Sequence, residues 1–498
     1  MTAVAKETAP HGGSDEKVAP WRVALPFAIT LAVALVPTPE GLPQHAWYFF
    51  AFFSGVVAAL VVEPIAVTAT GVIAITATAV LSRWILFSPD EMAKPGFRIA
   101  SESVKWAFSG FANGTVWLVG GAFMFALAYD KTGLGRRIAL YMVRLLGRNS
   151  LLLGYAVTFT ECLLAPFTPS NTARSAGTMF PVVINLPALY GSKPNDPSAK
   201  LIGSYILWTT FAASCLTSTL FITGCAPNFL AVSFIRKIVH VDISYSQWFF
   251  AAAPFAIPLL LALPLLAYFI CPPTIKKSPE VPAWAAGELE KMGPISRREI
   301  ILAILVSIAI LLWIFADEVI DGSIVAFMVI SMMLVFRVIT WDQMARNHSA
   351  WTTLVLLATL VSMADGLGRT GFIKWFAALV GAHVSGMGPM TTIMVLSAVF
   401  FFSHYFFSSL TAHTTAMLPI LLAVGVGLPG VPPDKLALAM ALTIGLMGVV
   451  SPYATGAALP YYNSGYLTSA EFWKNNVIFG LIFIAGLLFI GIPVMMMY

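Results

Sequence analysis

Two short polar segments interrupt long apolar stretches: S-N-T-A-R at 170–174 and S-L-T-A-H at 409–413. Hydroxyls, an amide, a guanidinium and an imidazole are groups that hold an anion by hydrogen bonds and charge. A second pair of interruptions lies downstream of each. Residues 223–228 read T-G-C-A-P-N and residues 451–456 read S-P-Y-A-T-G. Gly and Pro break a helix there, with small hydroxyl residues beside the break.

The pairing is regular. D-K-T-G-L at 130–134 matches G-R-T-G-F at 368–372 with an offset of 238, and the two polar segments match with an offset of 239. Pro181 and Pro419 follow the respective polar centres. The chain therefore reads as two repeats. In transporters with inverted repeats, the substrate lies near the midplane, where broken helices expose backbone N–H groups and helix ends. A helix that starts after each polar centre aims its positive end at that spot. Two such ends facing each other suit an anion with two carboxylates.

These motifs need a membrane frame, and the composition supplies one. Of 498 residues, 58% are hydrophobic and only 10% charged, and the mean hydropathy is +0.84. Soluble proteins carry about 25% charged residues, so an ordinary soluble enzyme, a disordered chain and a nucleic-acid binder are excluded. Apolar runs near 21–37, 46–62, 64–86, 106–129, 199–222, 247–270, 299–316, 322–340, 351–367, 435–450 and 475–497 make eleven candidate spans. The runs 151–189 and 390–429 carry the polar centres and read as re-entrant hairpins. Lys and Arg concentrate in the 131–148 and 272–298 loops, while the 317–321 loop holds only Asp317, Glu318 and Asp321 among its charges. A cytoplasmic N-terminus then satisfies the positive-inside rule about two to one, and the C-terminus falls outside a cytoplasmic (inner) membrane. Amphipathic stretches in the two basic loops would lie along the cytoplasmic interface. The four cysteines, in or beside apolar runs, suggest neither a disulfide framework nor a zinc site.

The expected organisation is a disordered cytoplasmic tail at 1–20 and first-repeat scaffold helices at 21–129. A first transport part with hairpin and broken helix follows at 130–240. Second-repeat scaffold helices with a cytoplasmic loop fill 241–350, and the second transport part and last helix fill 351–498. The fold class is an all-α polytopic membrane protein.

From about residue 45 to the C-terminus, the hairpin motifs and following breaks resemble the divalent-anion:sodium symporter family. The resemblance implies an elevator-type carrier of di- and tricarboxylates, working as a homodimer in the lipid bilayer. It implies substrate contacts from Ser170, Asn171 and Thr172, from Ser409 and Thr411, and from the breaks at Gly224, Ala454, Thr455 and Gly456. Sodium-coupled members hold two sodium ions with the same loops. This chain departs from them: Leu410 stands where that pattern has Asn, and Arg174 and His413 occupy equivalent positions after the two motifs. The combination resembles the branch of citrate/succinate and tartrate/succinate antiporters and the plastid 2-oxoglutarate/malate translocator.

A charge at bilayer depth costs at least about 2.5–3.5 kcal/mol, and a guanidinium does not escape by deprotonating. Arg174 therefore needs an anion beside it. If substrate carboxylates supply that anion, with His413 as a second contact, the empty carrier stalls and transport becomes obligatory, sodium-independent exchange. His413 is also readable as a hydrogen-bonded packing residue. Glu161 could pair with Arg174 in the empty state or form a structural ion pair elsewhere. Asp365 caps its helix or faces water, His404 and Tyr405 read mainly as packing, and Tyr461 and Tyr462 line the site or form an interfacial aromatic pair.

No nucleotide motif is present, so the chain does not drive transport with ATP by itself. It reads as a secondary antiporter of succinate, malate, fumarate, tartrate, 2-oxoglutarate or citrate, not an enzyme, with no cofactor, no nucleic acid and no metal. Sodium enters only under the rival reading of a sodium-coupled dicarboxylate symporter. A carboxylate-sensing membrane protein is the remote third.

Overall fold

The structure, a computed structural model, describes residues 19–316, 319–381, 387–428 and 430–498. Most of the expected tail, together with Asp317 and Glu318, lies outside the described residues. Among the described residues all helices and no strands are found. Seven helices are long and apolar enough to cross a bilayer, from Gln44–Val62 to Ser469–Met495, and four shorter apolar helices accompany them. Two of the seven, Ser150–Phe167 and Pro389–Phe406, are the incoming arms of the hairpins.

Both hairpins turn in the same way. Ser150–Leu164 runs into a 3-10 turn at Ala165–Phe167. Pro169 excludes the helical region for the residue before it, and Thr168 is extended (φ −127°). The chain resumes as a π-helical stretch at Thr172–Met179 and continues through Phe180–Val183. In the second hairpin Pro389–Ser403 leads to a 3-10 turn at His404–Phe406, an extended tip and the helix Leu410–Val426. The two 3-10 turns are again 239 residues apart. The repeat read from five-residue motifs thus extends to the backbone.

The downstream helices are central. Every residue of Gly203–Leu220 is buried, which suits a helix apolar or weakly polar on all sides. Several of its hydroxyls are satisfied within the helix: Thr209, Thr210 and Ser218 each donate to the carbonyl four residues earlier at 2.7 Å. The helix stops at Phe221, passes through a short turn at Ile222–Gly224 and restarts as Ala226–Ile238 with Pro227 in its first turn. Asn228 stitches this break by donating to the carbonyls of Ser218 (2.8 Å) and Phe221 (3.1 Å) where the helix is interrupted.

Packing gathers many of the helices into two bodies, with Ala226–Ile238 in contact with both. Around Gly203–Leu220 gather the first hairpin's arm, Tyr245–Ile270 and Pro433–Met447, with the second hairpin and Ser469–Gly486 against the last of these. The other body joins Gln44–Val62, Val67–Val80, Gly114–Thr132, Gly322–Val335 and His348–Arg369. Two sequence expectations change here. Tyr245–Ile270, assigned to the scaffold, packs with Gly203–Leu220 and the first hairpin's arm. His348–Arg369, assigned to the moving part, packs with Val67–Val80 and Gly114–Thr132. Hydropathy carries no information about which neighbour an apolar helix chooses.

Two amphipathic helices, Leu134–Leu146 and Glu280–Met292, lie against each other. Arg136 bonds Glu288 at 2.8 Å, and Lys291 bonds it at 2.6 Å. Lys291 first, then Arg136, hold the Glu288 carboxyl below the usual range. Arg137 departs from a simple arginine face. It is buried, paired with Glu299 at 2.5 Å and bonded to the carbonyl of Gly293 at 2.9 Å.

Candidate functional site

A cavity of about 460 Å³ lies between the two bodies, within the range of small-molecule sites. Ser170, Asn171 and Thr172 line it from the first hairpin tip, and Ser409, Leu410 and Thr411 from the second. The second break contributes Thr455 and Gly456, and the restarted helix after the first break contributes Ala226 and Pro227. The polar centres of both repeats therefore meet in one place.

The tips are built by their own sequence. Ser170 and Ser409 cap the outgoing arms: their hydroxyls accept from the backbone N–H of Ala173 (3.1 Å) and Ala412 (3.3 Å). Asn171 Nδ2 donates to Thr455 Oγ1 at 3.1 Å, tying the first tip to the second break. Gly456 is required by space, because a Cβ there would lie 2.8 Å from Thr172 Oγ1. At the position matching Asn171, Leu410 offers no such bond, so the link between hairpin and break is made on one side of the repeat pair.

The cavity carries no ionisable side chain among its lining residues. Its polarity comes from hydroxyls, one amide, and the first turns of Ala226–Ile238 and Leu410–Val426. Helix N-termini carry unsatisfied N–H groups and about half a positive charge each. Two such helix ends can hold an anion without a lysine or arginine.

Arg174 lies away from the cavity in this structure. Its side chain is fully buried and does not reach the cavity wall. Nε donates to Glu161 Oε2 at 2.8 Å, and the rest of the fork donates to five protein oxygens. These are the carbonyls of Thr168 (3.0 Å), Gly224 (2.8 Å) and Ser214 (3.2 Å), and the hydroxyls of Thr217 (3.2 Å) and Ser218 (3.0 Å). The anion that a buried guanidinium demands is thus internal. Glu161 is its partner, on the opposite arm of the same hairpin. Gly224 does not line the cavity; its carbonyl accepts from Arg174.

His413 is likewise buried and off the wall. Its Nε2 shares a hydrogen bond with Ser403 Oγ at 2.8 Å, and its ring stacks on Phe400 with centroids 4.7 Å apart. Phe407 and His404 pack on it at 4.5 and 4.9 Å. At the repeat offset, Phe400 is the counterpart of Glu161. The first repeat holds its basic residue with a carboxylate, and the second holds its imidazole with rings. His404 does more than pack, because its Nε2 is hydrogen-bonded to the Ala454 carbonyl at 3.0 Å. The Ala454 carbonyl is therefore also taken by protein.

The remaining candidates separate. Tyr461 is buried, and its hydroxyl bonds Ser175 Oγ at 2.9 Å and donates to the Ser175 carbonyl at 3.1 Å. Tyr462 bonds Ser469 at 2.9 Å. Neither lines the cavity. Asp365 neither caps nor stands free: it pairs with Lys237 at 3.1 Å. Lining residues that the sequence reading missed are Phe123 and, from the first turns of His348–Arg369, Ser349, Thr353, Leu356 and Leu357. Their spacing of three to four was the available signal, since it sets them on one helix face.

Thr455→Val is expected to remove the tie to Asn171 at nearly constant volume. The half-saturation for transported anion should rise about tenfold, as for one lost buried hydrogen bond. Counterflow kinetics on the purified variant in liposomes check this.

Comparison with known proteins agrees with this architecture. The YdaH transporter of Alcanivorax borkumensis superposes with a TM-score of 0.53 at 13% identity, over 85% of this chain and 96% of that one. MtrF of Neisseria gonorrhoeae gives 0.52 at 14% identity, over 92% and 96%. At that identity the likeness concerns the fold. Sequence relatives lie much nearer. The citrate/succinate antiporter of Escherichia coli (strain K12) is 46% identical over 478 residues, covering 96% of this chain and 98% of the relative. The L-tartrate/succinate antiporter of Shigella sonnei (strain Ss046) is 44% identical over 472 residues, covering 95% and 97%. The sodium:sulfate symporter transmembrane region matches residues 17–497, and with that match running almost end to end the chain belongs to this family of membrane transporters.

Proposed function

We propose that the chain is a secondary antiporter that exchanges di- and tricarboxylates, without sodium, across the cytoplasmic membrane. The observation that carries this reading is a cavity with no charged side chain, lined by the tips of two repeat-related hairpins and by two helix N-termini. Such ends suit the two carboxylates of one substrate. The names of the relatives, at 44–46% identity over nearly the whole chain, support antiport of succinate against a larger or hydroxylated partner. Ser170, Asn171, Thr172, Ser409, Thr411, Thr455 and Gly456 are the proposed contacts.

Arg174 has a different role from the one its position in the motif suggests. Sodium in broken-helix transporters is held by unwound carbonyls and helix ends. Here the guanidinium already takes the carbonyls of Thr168, Gly224 and Ser214. It is a built-in cation for the first hairpin, so an external cation has no place among those oxygens. In the second hairpin His404 takes the Ala454 carbonyl and His413 bonds Ser403, with no carboxylate paired to either. Because Glu161 pairs with Arg174, an unpaired charge does not explain obligatory exchange. The antiport reading rests instead on the relatives and the shared cavity.

The two-body packing supports an elevator, with the hairpins and Tyr245–Ile270 moving against the helices around His348–Arg369. Eleven spans, a cytoplasmic N-terminus, an external C-terminus and a homodimer complete the proposal. Liposomes loaded with succinate should take up external labelled citrate or tartrate equally well in sodium or choline buffer, and empty liposomes should take up little. Uptake into empty liposomes driven by a sodium gradient would overturn the antiport reading in favour of symport.

A further inference from the structure

The cavity has two kinds of wall. The hairpin tips and breaks belong to one body. The first turns of His348–Arg369 belong to the other, which packs against Val67–Val80 and Gly114–Thr132. That second wall presents Ser349 and Thr353, one helical turn apart, above Leu356 and Leu357.

Thr353 lacks the local backbone bond that many helix hydroxyls of this chain make, and it faces the cavity. Thr209, Thr210, Thr160 and Thr415 all donate to a carbonyl four residues back, and Thr359 on the same helix donates to Leu356. Thr353 makes no hydrogen bond to protein among the described residues, and neither does the Ser349 hydroxyl. Two hydroxyls on one face, both lining the cavity and both free, are donors and acceptors for a ligand or for water.

The repeat-related tips and helix ends suit the two terminal carboxylates. A substituent on the carbons between them then has this wall left to meet. The wall has hydroxyls and no charge, so it fits a hydroxyl rather than a further carboxylate. We propose that Ser349 and Thr353 are specificity-determining residues that hydrogen-bond the hydroxyl groups of hydroxylated dicarboxylates. They would distinguish these substrates from succinate, which has none. The inference deepens the antiport reading and rests on it.

The test compares L-tartrate with succinate, which share a carbon skeleton and differ by two hydroxyls. In succinate-loaded liposomes, uptake of labelled succinate is measured against unlabelled succinate or tartrate outside. Thr353→Val keeps volume, and Ser349→Ala removes the second hydroxyl. For each, the half-saturation for succinate should stay within about twofold while the half-inhibitory tartrate concentration rises about tenfold. Thr353→Ser should retain the wild-type ratio, which separates loss of the hydroxyl from loss of fold. An unchanged tartrate-to-succinate ratio in both hydroxyl-deleted variants overturns the proposal, as does a parallel rise for both anions. Either result leaves wild-type counterflow intact, whereas absence of wild-type succinate counterflow strikes the antiport reading itself.

Discussion

Glu161→Gln is expected to abolish exchange, although Glu161 never touches the cavity. The substitution leaves the Arg174 guanidinium fully buried without the carboxylate it pairs with. Removing one partner of a buried pair costs about 3–5 kcal/mol, because the surviving charge has lost its compensation. The loss falls on the first hairpin, whose tip and neighbouring break are held by the same fork of donors. Thermal unfolding of purified protein should show the stability loss, and counterflow the loss of transport. Arg174→Lys should fail similarly, since one ammonium does not reproduce a planar fork reaching Glu161, three carbonyls and two hydroxyls. A double change to Glu161→Leu with Arg174→Met should recover stability, because apolar replacement of a buried pair is often neutral or better. It should not recover transport. A Glu161→Gln protein with wild-type stability and exchange would remove the internal-cation reading of Arg174.

Gly224→Ala is the second large effect. A Cβ at Gly224 would lie 2.7 Å from both Ser218 Cα and the Thr217 carbonyl oxygen. Those are backbone atoms, so no side-chain rotation relieves the clash. The break must open, and the carbonyl that receives Arg174 moves with it. Overpacking of this kind costs about 1–3 kcal/mol, and transport should fall to roughly a tenth or less, as expected when a binding site shifts by about 1 Å. Gly177→Ala is the matched control in the same hairpin. Its Cβ would find nothing nearer than the Thr172 carbonyl at 4.0 Å, and both stability and counterflow should stay near wild type.

The parts of this molecule that local chemistry determines were legible in the sequence. Polar centres inside apolar runs located both hairpins, and Gly and Pro located both breaks. The repeat offset brought residues from the two halves to one cavity before any coordinates did. The parts that depend on packing were not legible. A buried Arg174 calls for an anion beside it, and the sequence offers Glu161 only as one of two readings. Glu161 stands on the opposite arm, and their meeting depends on how the arms lie together. Tyr245–Ile270 and His348–Arg369 are both simply apolar in sequence, and each joined the other body. Ser349 and Thr353 resemble ordinary polar residues at a helix start. Only the cavity shows them as a wall.

The tie between Asn171 and Thr455 also has a meaning in time. The two residues are 284 positions apart, and Ser175 and Tyr461 are 286 apart. At about 5–20 residues per second, synthesis leaves roughly 15–60 s between the appearance of the first hairpin tip and that of its partners. During that interval Arg174 can already meet Glu161, 13 positions away on its own hairpin. The internal ion pair lets the nascent first half settle its most expensive charge while the ribosome is still making the second. A chain truncated before residue 455 should therefore hold a folded hairpin and no binding site.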